Sequence, residues 1–189
     1  VKLVDQVRAG TFLVASPLLR DPNFVRTVVL MCEHGRGGSW GLVVNRRTPL
    51  TFGELLSDLP FPAAGGGPVF WGGPCETSRM QVLHRLRRAL PDHPEICAGV
   101  QLGLDPDTFR RVAAQSRLPG EALHAYVGHA GWGAGQLDAE LETDSWIVCT
   151  GSSAVVFETR AERMWDRVME SLGADYADLT RYPLDPRLN

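Results

Sequence analysis

Thr27-Val-Val-Leu-Met-Cys-Glu-His34, then Gly35-Arg-Gly-Gly38, then Trp40-Gly-Leu-Val-Val-Asn45 is the stretch whose reading decides the fold. Val28, Leu30, Cys32 and His34 alternate with Val29, Met31 and Glu33. Both sets begin apolar, which predicts an interior strand covered on both faces. The glycine-bearing segment after it reads as a turn, and Trp40 to Asn45 returns as the partner strand of a hairpin.

Upstream, Gly10-Thr-Phe-Leu-Val-Ala-Ser16 is rich in β-formers and stops at Pro17, with Asp21-Pro22 interrupting again, so it predicts a strand and then a loop. Downstream, Thr51-Phe-Gly-Glu54 has the spacing of a capping box and predicts a short helix through Leu59. Pro60, Pro62 and Gly65 to Gly67 read as a connection. Pro68-Val-Phe-Trp71 reads as a short strand that delivers Gly72-Gly-Pro74.

Strands are expected at Gln81 to Leu86, Ile96 to Leu102, Leu123 to Gly128 and Trp146 to Cys149. Asp105-Pro106 starts a predicted helix through about Ser116, and Gly135 to Glu142 a shorter one. Thr159-Arg-Ala-Glu162 reads as a second capping box, opening a helix with Trp165, Val168, Met169 and Leu172 on one side. Residues 174–189 carry Pro183 and Pro186 without an apolar period and are expected to be an arm. Short strands interleaved with unequal helices, one hairpin among them, predict an α+β fold with a mixed, largely antiparallel sheet and helices packed in layers.

The chain has 189 residues, 44% hydrophobic and 22% charged, which places it in the globular range and suggests a single domain over 1–189. A net charge of −3 gives no general attraction to nucleic acid or anionic lipid. The apolar runs are far shorter than the about 20 residues a membrane helix needs. No basic segment followed by an apolar signal core stands at the N-terminus. Cys32, Cys75, Cys97 and Cys149 are scattered singly, as expected of reduced thiols in the cytoplasm.

Four segments carry a resemblance to a known family. They are Ser16-Pro-Leu-Leu-Arg-Asp-Pro-Asn-Phe24; Thr27 to His34 leading into Gly41-Leu-Val-Val-Asn-Arg46; Gly72-Gly-Pro74; and Gly128-His-Ala-Gly-Trp-Gly-Ala-Gly-Gln-Leu137. In this order they resemble the AlgH/YqgE family of uncharacterised bacterial proteins, one group of which carries a transcriptional-regulator label. A weaker match runs through Trp146 and Arg163-Met-Trp165. The resemblance implies a layered sheet-and-helix body with a smaller α/β lobe, expected within about 76–127. It brings no mechanism. The family commonly has Tyr at the position of His129, Pro at Arg47 and Val at Cys75, so this chain departs from it there.

Gly128 to Leu137 is a strand, a glycine-dense turn and a helix start, whose free amides could hold an anion. Its spacing matches neither nucleotide fingerprint, and a tight turn with Trp132 packed inward explains it equally. Asn45 and Arg46 offer an amide and a permanent cation to a carboxylate, a phosphate or a neighbouring loop. Gly73 and Pro74 let a backbone approach closely. The ligand-binding set read from the sequence is therefore Asn45, Arg46, Gly73, Pro74, Gly131, Trp132, Gly133 and Gln136, gathered in one recess.

Alternation also puts Cys32 and His34 on one face, which would suit a cysteine nucleophile or redox sensor. A buried thiol and a satisfied imidazole suit the pattern equally. Cys32, His34, Cys75 and His129 would make a metal site only if the fold collected them, and no local ligand spacing supports that. The basic run His84-Arg85-Leu86-Arg87-Arg88 lacks interleaved aromatics, and Asp138, Glu140, Glu142 and Asp144 read as a solvated acidic face. No cofactor is implied. The functional expectation is a regulatory or interaction protein that binds an anionic small molecule or a protein partner; the alternatives are a Cys32-based enzyme or sensor and a protein acting directly on DNA.

Overall fold

The computed structural model describes residues 1–55, 68–85, 94–103 and 123–181. Among them the strands are β1 (Thr11–Ala15), β2 (Val28–Gly35), β3 (Gly38–Val43), β4 (Arg47–Thr51), β5 (Pro68–Trp71), β6 (Cys75–His84), β7 (Glu95–Cys97), β8 (Val100–Gly103), β9 (Leu123–Trp132) and β10 (Trp146–Thr150). The helices are α1 (Phe52–Leu55), α2 (Gln136–Glu142), α3 (Ser153–Glu158), α4 (Ala161–Ser171) and α5 (Ala174–Leu179). Strand dominates this α+β fold.

The sheet runs β10-β1-β2-β3-β9-β6-β8-β7, with β4 and β5 branching from β9. Among the described residues every strand pairing is antiparallel except β5 with β9, where Val69, Phe70 and Trp71 run beside Ala125, Tyr126 and Val127. β9 is the hub. Its first half lies between β5 and β6, and its second half turns to pair with β3 through Ala130, Gly131 and Trp132.

Side-chain alternation divides the core into two faces. Phe12, Val14, Val28, Leu30 and Leu42 point to one, where Met164, Trp165, Val168 and Met169 of α4 cover them. Leu13, Ala15, Val29, Met31 and Val43 point to the other, closed by Trp132, Leu137 of α2 and Trp146. Burying each large side chain stabilises the fold by about 1.5–3 kcal/mol, which explains why the period-2 strands and the 3.6-period α4 agree.

The β2–β3 hairpin forms as predicted, with Gly35 opposite Gly38. So does the first capping box, where Thr51 N donates to Glu54 Oε2 at 2.8 Å and Glu54 N to Thr51 Oγ1 at 3.4 Å. The second box is not used. Thr159 instead ends α3, a helix the sequence pattern did not announce, whose N-cap Ser152 accepts from Val155 N at 3.4 Å. The strand expected at Ile96 to Leu102 is two strands joined at Gly99, and β6 starts at Cys75 rather than near Gln81. Part of the expected C-terminal arm is helix α5, with Tyr176 and Leu179 packed against the core. The expected helix from Asp105, and the end of the first helix at Leu59, lie outside the described residues. The described parts of 76–127 are β6, β7, β8 and the start of β9, hydrogen-bonded into the same sheet. No helix among the described residues is long and apolar enough to cross a membrane.

His124 sits inside the first face, its ring 4.9 Å from both Phe70 and Phe157. Burial, then the charges of Arg85 and Arg47, push its pKa down from 6.5 to about 4. The folded imidazole therefore stays neutral where the unfolded one takes a proton. Stability is whole above pH 6.5 and falls as pH drops toward 4, by roughly 3 kcal/mol in total from this group. Denaturant titrations at pH 7 and pH 4 should show this loss in the wild type and not in His124→Phe; parallel pH profiles would refute it.

Candidate functional site

Asn45 lies two residues past the end of β3, and its side chain is spent on the chain entering β2: Val28 N donates to Oδ1 at 2.9 Å, and Nδ2 donates to Arg26 O at 2.9 Å. Arg46 Nη2 donates to Val25 O at 2.6 Å. The pair clamps residues 25–28 against the strand end. The same clamp opens a hollow of about 390 Å³ lined by Val25, Arg26, Asn45, Arg46, Arg47, Ala161, Glu162, Trp165 and Asp166. The Arg26 guanidinium lies 5.0 Å from the centre of the Trp165 ring, a cation–π contact. Three arginines thus line a hollow with Trp165 and the α4 residues Glu162 and Asp166; Arg26 Nη2 also donates to Thr180 O at 3.3 Å, and Asp166 is 3.2 Å from Arg163.

The Gly131 to Gln136 turn is elsewhere. Trp132 lies on the opposite face of the sheet, its Nε1 donating to Glu140 Oε2 at 2.9 Å. Trp146 Nε1 donates to the same oxygen at 2.8 Å, and Phe24 packs on both indoles at 6.2 and 5.5 Å. Gly133 N donates to Gln136 Oε1 at 3.0 Å, and Gln136 Nε2 donates to Glu140 Oε1 at 3.0 Å. The turn amide and the glutamine are therefore engaged with each other, and the arrangement is that of a tight turn anchored by a buried Trp. The Phe24 to Arg26 loop touches both places, but the single recess expected from the sequence is divided by the sheet into two sites.

Gly73 and Pro74 lie at a crossing of backbones. Val43 N donates to Gly72 O and Gly72 N to Val127 O, both at 2.8 Å, so this segment joins β3 to β9. Gly73 has φ +147°, and a Cβ on it would stand 2.2 Å from His129 C. Its glycine is needed for packing.

Cys32 and His34 do not share a face as strict alternation predicted. The β2–β3 register slips between Met31 and Glu33, so Cys32 is the extra residue of a β-bulge. A bulge shifts the side chains after it by one position. Glu33 now pairs with Trp40 and accepts from its Nε1 at 3.3 Å, while His34 pairs with Ser39, its Nδ1 2.7 Å from Oγ. Cys32 is buried, and desolvation, then Cys97, raises its thiol far above the ordinary range. Among the described residues no group of three His, Cys, Asp or Glu is placed to hold a metal ion.

The AlgH-like family model, DUF179, matches residues 12–177. A UPF0301 protein of Cytophaga hutchinsonii is 36% identical over 182 residues, covering 95% of this chain and 98% of the relative. One from Xanthomonas campestris is 38% identical over 178 residues, covering 92% and 94%. The chain belongs to the AlgH-like family. The solution structure of the AlgH protein from Pseudomonas aeruginosa matches it with TM-score 0.74 and 31% identity, covering 95% of this chain and 98% of that one. Protein DIP2367 from Corynebacterium diphtheriae, 19% identical with TM-score 0.76 and covering 94% of each chain, shares the fold. The AlgH-like family is uncharacterised, so membership supplies the architecture and leaves function to the geometry of this chain.

Arg26, Arg47 and Trp165 join Asn45 and Arg46 without having been read from the sequence as site residues. Arg26 has φ +51°, a backbone state with no local signature here. Trp165 was legible as a core residue of α4, and only the packing of α4 against the β3 end brings its ring to the arginines.

Proposed function

We propose that this AlgH-like protein is a non-enzymatic regulatory or interaction protein that binds an anion, either a small carboxylate- or phosphate-bearing molecule or an acidic segment of a protein partner, in the arginine-lined hollow. The observation that carries this reading is the hollow of about 390 Å³ with Arg26, Arg46 and Arg47 on its lining and Trp165 beside them. Guanidinium groups offer forked donors that match carboxylate and phosphate oxygens, and the indole supplies an apolar wall. Glu162 and Asp166 on the facing helix favour a compact anion over an extended polyanion. Nucleic acid fits poorly, because α4 mixes Glu162, Asp166 and Glu170 with Arg163 and Arg167 and so presents no basic stripe. Catalysis by Cys32 is disfavoured by its burial and by the bulge that separates it from His34.

Calorimetry with citrate and pyrophosphate, read in parallel by Trp fluorescence, tests the proposal. Binding should weaken as salt rises, and Arg46→Ala with Arg47→Ala should lower affinity by about tenfold or more, the worth of one charge-assisted hydrogen bond. Unchanged affinity in the double variant, or no binding of either probe, would reject it.

A further inference from the structure

Cys75 and His129 face each other directly across the antiparallel β6–β9 pair. Two residues along β9 on the same face stands Gly131, opposite Trp40 of β3. Gly131 has no side chain, and the position its Cβ would occupy is 3.5 Å from Cys75 Sγ and 3.5 Å from His129 Nε2. Thiol and imidazole thus border one small gap. The other ring nitrogen, Nδ1, lies 3.8 Å from Glu76 Oε2, an oxygen that also meets Arg79 Nη1 at 2.9 Å. The Trp40 indole stands edge-on to the imidazole at 5.8 Å, and Glu33 holds that indole through Nε1. His129 Nε2 and Cys75 Sγ thus border the same gap while Nδ1 lies nearer a carboxylate, the order of base, thiol and orienting acid that activates a cysteine.

We infer that Cys75 is a thiol–disulfide exchange site that takes small-molecule disulfides, with His129 as the base and Glu76 as its positioning residue. His129 Nε2 accepts the Cys75 proton. The Cys75 thiolate attacks one sulfur of the disulfide, forming a new S–S bond as the old one breaks. The departing sulfur leaves with the electron pair as a thiolate and takes the proton back from the imidazolium. Cys75 is oxidised to a mixed disulfide and the leaving sulfur is reduced to a thiol, so the exchange needs no other oxidant.

The site is separate from the arginine hollow, and Cys75 shares its partial exposure only with Cys97 among the cysteines. Cys75 is half-buried, and the His129 and Glu76 side chains are 19% and 51% exposed. Cys32 and Cys149 are buried, and burial followed by Glu95 pushes the Cys97 thiol up to about 11. Access combined with an adjacent imidazole marks a thiol that exchanges rather than one that only packs.

The full chain, incubated with oxidised glutathione or iodoacetamide at neutral pH and mapped by mass spectrometry, should be modified first at Cys75. His129→Gln should slow both reactions by about tenfold or more, because the base is lost. Gly131→Ala leaves both partners in place but sets a methyl group in the gap, and should slow them similarly. Cys97→Ser should change nothing. Near-UV circular dichroism confirms that each variant is folded, and if His129→Gln is not, Gly131→Ala alone decides. Modification first at Cys97, or an unchanged Cys75 rate in a folded His129→Gln or Gly131→Ala protein, would overturn the inference.

Discussion

Gly73→Ala is expected to destabilise the protein by about 3–6 kcal/mol, a large part of the 5–15 kcal/mol that holds a typical domain together. Two costs combine. The residue sits at φ +147°, which an alanine adopts only under strain, and its new Cβ would stand 2.2 Å from His129 C and 2.3 Å from Ala130 N. Those atoms belong to the backbone of the hub strand β9, which is bonded to strands on both sides and has no room to retreat. The reciprocal contact is as close, since a Cβ on Gly128, at φ +72°, would meet Gly73 O at 2.4 Å.

Guanidinium denaturation should show a lower midpoint with an unchanged slope. Gly35→Ala is the control, because nothing lies within 4 Å of its added Cβ, and it should be nearly neutral. A Gly73→Ala loss below about 1 kcal/mol would show that the crossing is looser than described. The crossing also leads straight into Cys75 opposite His129, so a shift here would disturb thiol reactivity as well as stability.

Trp132→Ala should cost about 3–5 kcal/mol, the range for removing a buried aromatic. Its indole is 5% exposed and sits beside Phe24 and Trp146 on the face opposite the arginine hollow. Glu140 is the polar key to this cluster, since one carboxylate oxygen accepts from both indole N–H groups. Glu140→Ala strands both indole donors and should cost roughly 2–3 kcal/mol, whereas Glu140→Gln keeps an acceptor and should cost about 1 kcal/mol. Near-UV circular dichroism and thermal unfolding separate the variants. If Trp132→Ala were nearly neutral, the tight-turn reading of Gly131 to Gln136 would lose its anchor. Anion binding in the arginine hollow should survive in folded Trp132→Phe, because the sheet stands between the two sites.

Local pattern alone specified the β2–β3 hairpin, the capping box at Thr51 and the apolar stripe of α4, because each depends on neighbours within a few residues. The family resemblance was legible for the same reason, carried by short runs such as Gly128 to Leu137. Tertiary packing decided the remainder. The bulge at Cys32 moved His34 to the other face, the parallel β5–β9 contact placed Gly73 against His129, and the seating of α4 brought Trp165 to Arg26 and Arg46. Strand register and helix docking between distant segments follow from how their buried faces fit together, and no run of consecutive residues encodes that fit.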